Sequence, residues 1–188
     1  GCPLKPAATA GLQAAYAATT PRPGDCGDEY RRPPFLTASG DLSHHLSEVP
    51  RYFTAEDVPG RPGRQRVSSG SKWEPLAGYS RSVRIGDRIL VSGTTATHGS
   101  DHIVAPGDAG AQTTYVLDKI AASIVALGGS VEDVVRTRIF VRDVADVEAV
   151  SIAHGRMLGD IRPANTLVAA GDLVGDYAVE IEAEAVVG

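Results

Sequence analysis

The chain has 188 residues, of which 43% are hydrophobic and 22% are charged, and its formal net charge is -5. This composition is typical of one globular domain with an extension. The acidic balance argues against a nucleic-acid partner, because phosphate binding requires a dense basic surface. No apolar run approaches the roughly 20 residues that span a bilayer, so we expect a cytoplasmic protein with no membrane partner.

The N-terminal third differs from the rest of the chain. Residues 1–65 hold 9 of the 12 prolines, and proline both removes a backbone donor and fixes φ. We therefore predict an irregular Pro/Gly-rich extension over 1–65 and a folded domain over 66–188. Both cysteines, Cys2 and Cys26, lie in the extension. Their spacing leaves a disulfide open and does not indicate a zinc site.

The domain begins with two short strands in "SRSVRIGDRILVSG" (80–93), joined by a two-residue turn at Gly86 and Asp87. A helix follows over 108–129, where Asp108 can cap the first turn and a glycine pair ends the last one. Its apolar positions recur at helical spacing. They are Thr113, Val116, Leu117, Ile120, Ile124 and Leu127.

The second half of the domain repeats this alternation of strand and helix. A strand over 132–143 is predicted to place Val135, Thr137, Ile139 and Val141 on one face and Arg136, Arg138, Phe140 and Arg142 on the other. A helix follows over 146–160, and the last strands lie in "ANTLVAA" and in 177–187. This order predicts an α+β sandwich, with two helices on one face of a mixed sheet.

The last strand carries three carboxylates on one face: Glu180, Glu182 and Glu184. They repel one another unless cations or water relieve them, and Arg136 and Arg138 offer the cations. We therefore predict that these two strands are neighbours. The charged face is either solvated or covered by another subunit.

The motifs "GYSRSVRIGDRILVSGT", "RPANTLV" and "VEIEAEAV", with the helix and strand over 107–150, resemble the Rid family. These are reactive intermediate deaminases, also called YjgF-like and historically L-PSP endoribonuclease. The resemblance covers about 66–188 and implies a chorismate-mutase-like fold. It also implies a homotrimer with ligand clefts between subunits, and hydrolysis of reactive enamines and imines to a carbonyl compound and ammonia.

The resemblance also assigns roles to individual residues. Family members carry Pro-Ala-Arg-Ser before an apolar strand, and here Asn165 stands where that arginine grips the substrate carboxylate. Glu182 matches the glutamate that positions water or relays protons, although it is equally explained as part of the acidic face. The matched substrate-binding positions are Tyr79, Ser92, Ser151 (asparagine in many members) and, as a replacement anchor, Arg162. We expect Arg162 to be extended, because it precedes proline, and to point away from Asn165.

Two functions remain open. The first is a hydrolase of a small imine or enamine, in which Glu182 and Asn165 are the catalytic positions. The second is a trimeric protein that binds or senses a small molecule without converting it. An asparagine gives a weaker grip on a carboxylate than an arginine does, so native protein is expected to act poorly on 2-iminopropionate. No phosphate-loop, dinucleotide or metal-ligand spacing is present, so we predict no cofactor.

Overall fold

The computed structural model describes residues 53–99 and 101–188. Its helices there are α1 (Trp73–Ala77), α2 (Ala109–Ala126) and α3 (Val147–Leu158). Its strands are β1 (Ala55–Asp57), β2 (Arg64–Val67), β3 (Ser82–Ile85), β4 (Arg88–Thr95), β5 (Thr97–His98), β6 (His102–Ile103), β7 (Val134–Val141), β8 (Ala164–Ala169) and β9 (Val179–Val186). The strands and helices predicted after residue 80 occur in the predicted order, and β5 and β6 are two short strands that the sequence did not predict.

Seven strands form one mixed sheet in the order β1-β2-β3-β4-β9-β7-β8, and β5 and β6 form a separate ladder. All neighbours in the large sheet are antiparallel except β7 and β8, which are parallel. Helix α3 makes the crossover that a parallel pair requires. The predicted fold class, an α+β sandwich with a mixed sheet, is therefore confirmed.

The core lies between the sheet and α2, and the predicted apolar face of α2 is buried along its length. The helix begins at Asp108, whose carboxylate accepts from the backbone N–H of Ala111 at 2.8 Å. It ends in a Schellman motif, in which Gly128 N–H donates to Val125 O and Gly129 N–H donates to Ile124 O. Both ends are thus determined locally, as the sequence predicted.

The face predicted for Val135 in β7 was wrong, because the strand contains a bulge. The register with β9 shifts between Val134 and Arg136, so Val134 is buried and Val135 is 45% exposed. An extra residue in one strand reverses the alternation on one side of the bulge. Thr137, Ile139 and Val141 face the helices as predicted.

The sheet also begins earlier than residue 66. Strands β1 and β2 form an antiparallel hairpin, and β2 pairs with β3 along its whole length. Pro59 and Pro62 lie in the turns between the two strands, where a missing backbone donor costs no ladder bond. The irregular extension predicted over 1–65 therefore does not describe residues 55–65. Its earlier part, with Cys2 and Cys26, lies outside the described residues.

The face of the sheet opposite the helices carries the charges predicted to pair. Arg138 donates to Glu182 at 3.1 Å and to Glu184 at 2.9 Å, while Arg136 lies 3.9 Å from Glu184. Leu90, which pairs with Glu184 across β4 and β9, is 44% exposed on this face. We call this surface the open face. It combines exposed apolar side chains with charges that are largely neutralised within the chain.

Candidate functional site

A buried carboxylate, that of Glu74, holds the segment that precedes Tyr79. Glu74 accepts hydrogen bonds from the hydroxyls of Ser68 and Ser69 and from Ser69 N–H. Burial opposes ionisation, but these bonds and the charge of Arg81 together lower the pKa of Glu74. Gly78 then ends α1 in a left-handed conformation, and Tyr79 follows with its side chain 39% exposed.

Ser92 is attached to the segment that follows Tyr79. Its hydroxyl donates to Ser80 O at 2.8 Å, and its N–H donates to Arg81 O at 3.0 Å. The register of β4 against β9 shifts between Val91 and Thr94. Ser92 and Gly93 therefore form a bulge that bends β4 next to Tyr79.

Gly93 allows a carboxylate to lie directly over the bulge. A Cβ at this position would overlap Oε1 of Glu180 and lie 3.1 Å from its Cδ. The carboxyl group of Glu180 thus occupies the space that any other residue at 93 would fill. Burial raises the pKa of Glu180, and the charge of Arg81 partly opposes that rise.

Arg81 holds the other side of the same bulge. Its side chain is 6% exposed, and its guanidinium donates to Thr94 Oγ1 and to Gly93 O, each at 2.8 Å. Burial lowers the pKa of Arg81, while Glu74 and Glu180 raise it. An arginine remains protonated in proteins, so a permanent positive charge lies beneath the Glu180 carboxyl group.

A second cation, which is partly buried, lies on α2. Lys119 Nζ donates to Thr97 O at 2.8 Å and to Thr95 O at 3.3 Å. Burial, followed by the charge of Arg81, lowers the pKa of Lys119 to about 8. The end of β4 therefore combines one buried cation, one partly buried cation and one half-buried carboxyl group.

Glu182, the predicted catalytic glutamate, has a different environment. Its carboxylate forms an ion pair with Arg138 on the open face. We call Tyr79, Ser92 and Glu182 the β4 group: Ser92 bonds to Ser80, the residue that follows Tyr79, and Glu182 is opposite the β4 bulge. Glu180, which does not belong to this predicted group, is the carboxyl group nearest Gly93 of the bulge.

The other predicted residues lie beyond β7, and we call Ser151, Arg162 and Asn165 the β8 group. Asn165 is exposed at the start of β8, and its Nδ2 donates to Thr137 Oγ1 at 2.9 Å. Arg162 has a φ of 53°, so it is left-handed rather than extended as expected. Its Nε donates to Gly159 O at 3.2 Å, just beyond the end of α3. Ser151 is exposed on α3.

One chain does not bring these two groups together. Strands β9 and β7 separate β4 from β8, which corresponds to about 14 Å at the usual strand spacing. Asn165 also lies on the face of Thr137, while Glu180 and Glu182 lie on the open face. The predicted site residues therefore lie in two separate groups in a single chain.

Five residues beside these two groups were not singled out as functional by the sequence: Arg81, Gly93, Thr137, His154 and Glu180. Glu180 and Glu182 have equivalent positions in the alternation of β9, and their cross-strand neighbours distinguish them. Glu182 lies opposite Arg138 and the β4 bulge, whereas Glu180 lies opposite Phe140. An arginine two residues after Tyr79 was a visible signal, since a charge beside an apolar strand requires a partner. Across residues 53–99 and 101–188, no cluster of three or more His, Cys, Asp or Glu side chains is placed to hold a metal ion. In the same ranges, no helix has the length and apolar character needed to cross a membrane.

The fold is a two-layer α+β sandwich of the chorismate-mutase-like class. Its mixed sheet has helices on one face and an open second face, and a half-buried carboxyl group lies over the bulge in β4. The profile of the endoribonuclease L-PSP family matches residues 70–187. The chain therefore belongs to this family, which includes the YjgF-like proteins, and the resemblance inferred from the sequence is confirmed.

Two curated relatives illustrate the range of the family. An uncharacterized protein of Streptomyces coelicolor is 38% identical over 122 residues, which cover 64% of this chain and 90% of that protein. The 3-aminoacrylate deaminase RutC of Acinetobacter baylyi is 35% identical over 107 residues, which cover 57% of this chain and 85% of the enzyme.

Solved structures agree with the fold. A YjgF/YER057c/UK114 family member from Mycobacterium tuberculosis has 40% sequence identity and a TM-score of 0.60, covering 66% of this chain and 99% of its own. TdcF of Escherichia coli, solved with bound serine, has 26% identity and a TM-score of 0.54, covering 58% of this chain and 88% of its own.

Proposed function

We propose that this protein hydrolyses small imines or enamines, with Glu180 as the group that transfers protons. The observation that carries the proposal is the Glu180 carboxyl group, which is half-buried over Gly93 and beside the buried charge of Arg81. Burial raises the pKa of Glu180 toward the range in which a carboxyl group both accepts and returns a proton. Tyr79 and Ser92 border the same bulge.

The reaction requires one water and no redox step. A water attacks the carbon of the protonated imine while the Glu180 carboxylate accepts one of its protons, giving a tetrahedral carbinolamine. The protonated carboxyl group then returns this proton to nitrogen, and the C–N bond breaks. As ammonia leaves, the Glu180 carboxylate accepts the hydroxyl proton and the carbonyl forms. An enamine first gains a proton at carbon from the protonated Glu180 carboxyl group, which gives the protonated imine. General acid–base catalysis of this kind contributes about 10²–10⁴-fold.

The proposal transfers the proton-relay role from Glu182 to Glu180. The Glu182 carboxylate is already occupied by its ion pair with Arg138 on the open face. Its ion pair is explained by the charge balance of the open face. The half-buried position of Glu180 has no such explanation, and perturbed carboxyl groups in recesses are frequent at catalytic sites.

Relatives support the reaction class. A relative that is 35% identical is named a 3-aminoacrylate deaminase, and its substrate is an enamine. A structural relative with 26% identity holds bound serine, which is a small amino acid. Both names point to small nitrogen-containing metabolites.

We further propose that the protein assembles as a homotrimer, in which the β4 group of one copy meets the β8 group of the next. Two half-sites about 14 Å apart on opposite faces of one sheet cannot bind the same small molecule in one chain. The open face suits a subunit interface, because Arg138 is already neutralised by Glu182 and Glu184. Burying a neutralised face avoids much of the cost of desolvating single charges.

Light scattering coupled to size exclusion tests the assembly. Native protein is expected to elute with three times the chain mass, and Leu90→Arg, which adds a charge to the exposed centre of the open face, is expected to give monomers. Val174→Arg is the matched control, because Val174 is 83% exposed outside the strands. A native monomer at micromolar concentration would contradict the proposal.

Catalysis is tested with imines generated by an amine oxidase or an amino-acid oxidase in the presence of semicarbazide, which competes for the imine. Native protein is expected to increase ammonia release and decrease semicarbazone formation, and Glu180→Gln is expected to abolish this effect. Glu182→Gln serves as the matched control on the same strand face.

A binding protein without catalysis is the second candidate, and Asn165 favours it. An amide replaces the arginine that the family resemblance predicts, so the grip on a carboxylate substrate is weaker. If native protein binds small carbonyl compounds but accelerates no imine hydrolysis, this second function is the correct one.

A further inference from the structure

A chain of hydrogen bonds leads from the surface of β8 to helix α3. Asn165 Nδ2 donates to Thr137 Oγ1 at 2.9 Å, and the same Oγ1 lies 2.9 Å from His154 Nε2. Thr137 is 1% exposed, whereas Asn165 is exposed at the edge of the sheet. The Asn165 amide is thus the exposed end of a hydrogen-bond chain whose middle member, Thr137, is buried.

A threonine hydroxyl has one proton and two acceptor sites. Thr137 Oγ1 accepts from Asn165 and keeps its own proton, which it can donate to His154 Nε2. Burial lowers the pKa of His154, which favours the neutral ring that accepts such a bond. Asn165 is held with Nδ2 inward, which leaves Oδ1 and the second N–H for a ligand.

The cations nearest in sequence are directed elsewhere. Arg162 Nε donates to Gly159 O. Arg136 and Arg138, which flank Thr137 in β7, lie on the open face with Glu184 and Glu182. A carboxylate placed against Asn165 would meet an amide with no guanidinium from these residues, and partial burial of an unpaired anion is costly.

We propose that the Asn165–Thr137–His154 chain makes this half-site select a neutral ligand group that offers both a hydrogen-bond acceptor and a donor, such as a carboxamide, in preference to a carboxylate. The inference rests on the proposed function, because it names the substrate class of the same site: imines or enamines that carry a neutral polar group. The Asn165 amide presents the complementary donor and acceptor. Thr137 and His154 are positioning residues, which fix the orientation of that amide.

The test compares pyruvamide with pyruvate, two small carbonyl compounds that differ in this group, by calorimetric titration of the full-length protein. Native protein is expected to bind pyruvamide about tenfold more tightly, the difference that one well-matched hydrogen bond makes. Asn165→Arg is expected to reverse the preference. Thr137→Val, which removes only the hydroxyl, is expected to bring the two affinities close together.

Thr113→Val is the matched control, because Thr113 is also fully buried but its hydroxyl bonds only to Ala109 O within α2. Its preference should remain that of native protein. Nitrogen NMR of His154 gives a readout that packing alone would not move: a neutral Nδ1–H tautomer in native protein and in Thr113→Val, and a mixture in Thr137→Val.

Three results would overturn the inference: equal or tighter binding of pyruvate by native protein, binding of neither compound at millimolar concentration, or a Thr137→Val variant that behaves like Thr113→Val. The outcome is separable from that of the proposed function. Loss of the pyruvamide preference with Glu180-dependent hydrolysis intact rejects only the inference. A preserved preference without hydrolysis in native protein rejects only the proposed catalysis.

Discussion

Gly93→Ala is the substitution that most directly perturbs the proposed catalytic carboxyl group without touching it chemically. The new Cβ would overlap Oε1 of Glu180 and lie 3.1 Å from Cδ and 3.5 Å from Cγ. The overlap is with the end of a flexible side chain, so the carboxyl group can rotate away. We therefore expect a stability cost at the low end of overpacking, about 1 kcal/mol.

The catalytic cost should be much larger than the stability cost. If Glu180 transfers protons at the bulge, moving its carboxyl group removes most of a contribution of about 10²–10⁴-fold. We expect imine hydrolysis to fall by roughly 100-fold with binding of the substrate little changed. Steady-state rates with oxidase-generated imines, and urea unfolding for stability, measure the two effects.

A matched control separates displacement from a general effect of alanine. Gly155 lies within α3, and a Cβ there meets no atom within 4 Å, so Gly155→Ala should keep native activity and gain about 0.5–1 kcal/mol of stability. Native activity in Gly93→Ala, with the fold intact, would refute the assignment of Glu180.

Three further predictions follow from the same geometry. Arg81→Gln removes a positive charge and should raise the pKa of Glu180 further, so the acid limb of the pH–rate profile should move to higher pH. Arg81→Lys keeps a positive charge and should move the acid limb less. An acid limb that is unchanged in both variants would contradict the influence of Arg81 on Glu180. The pKa of Lys119 is lowered to about 8 in the folded protein from its ordinary 10.5, so between these two pH values the unfolded chain binds more protons than the folded one. The free energy of unfolding should therefore increase with pH over this range, and Lys119→Met should lose the increase. Urea unfolding that shows the same pH dependence of stability in both proteins would contradict this prediction. A chain beginning at Ser68 lacks β1, β2 and the fully buried Val67, so it should melt several degrees lower than a chain beginning at Phe53; equal melting of the two in calorimetry would contradict the role of the hairpin.

Local rules predicted the elements whose determinants are contiguous. Helix α2 was predictable because its cap at Asp108, its apolar spacing and its glycine stop all lie within one segment. The pairing of β7 with β9 was predictable because three glutamates on one strand face needed the arginines of another. The hairpin of β1 and β2 was missed because proline density was used as the signal. The position of each proline decides whether a ladder bond is lost.

The site was only partly predictable, for a related reason. Ser92 is tied to the residue after Tyr79, because its hydroxyl bonds to Ser80 O, and a motif can encode such a contact within one hairpin. The choice between Glu180 and Glu182 depends on which of them pairs with Arg138 and on a bulge in β4. The arginine was visible in the sequence, but a bulge changes register without a clear sequence signal. The bulge at Val134 and Arg136 misplaced Val135 in the same way. The hydrogen bond from Asn165 to Thr137 joins residues that are 28 positions apart. Hydrophobic periodicity within a segment cannot predict such a contact.

The central claim is that imine hydrolysis by this protein depends on Glu180. The most direct measurement is the rate of ammonia release from an oxidase-generated imine in native protein, Glu180→Gln and Glu182→Gln, each checked for an intact assembly. We predict acceleration by native protein, a loss of about 100-fold or more in Glu180→Gln and near-native rates in Glu182→Gln. Full activity in Glu180→Gln, a loss confined to Glu182→Gln, or no acceleration by native protein with either class of imine would contradict the claim.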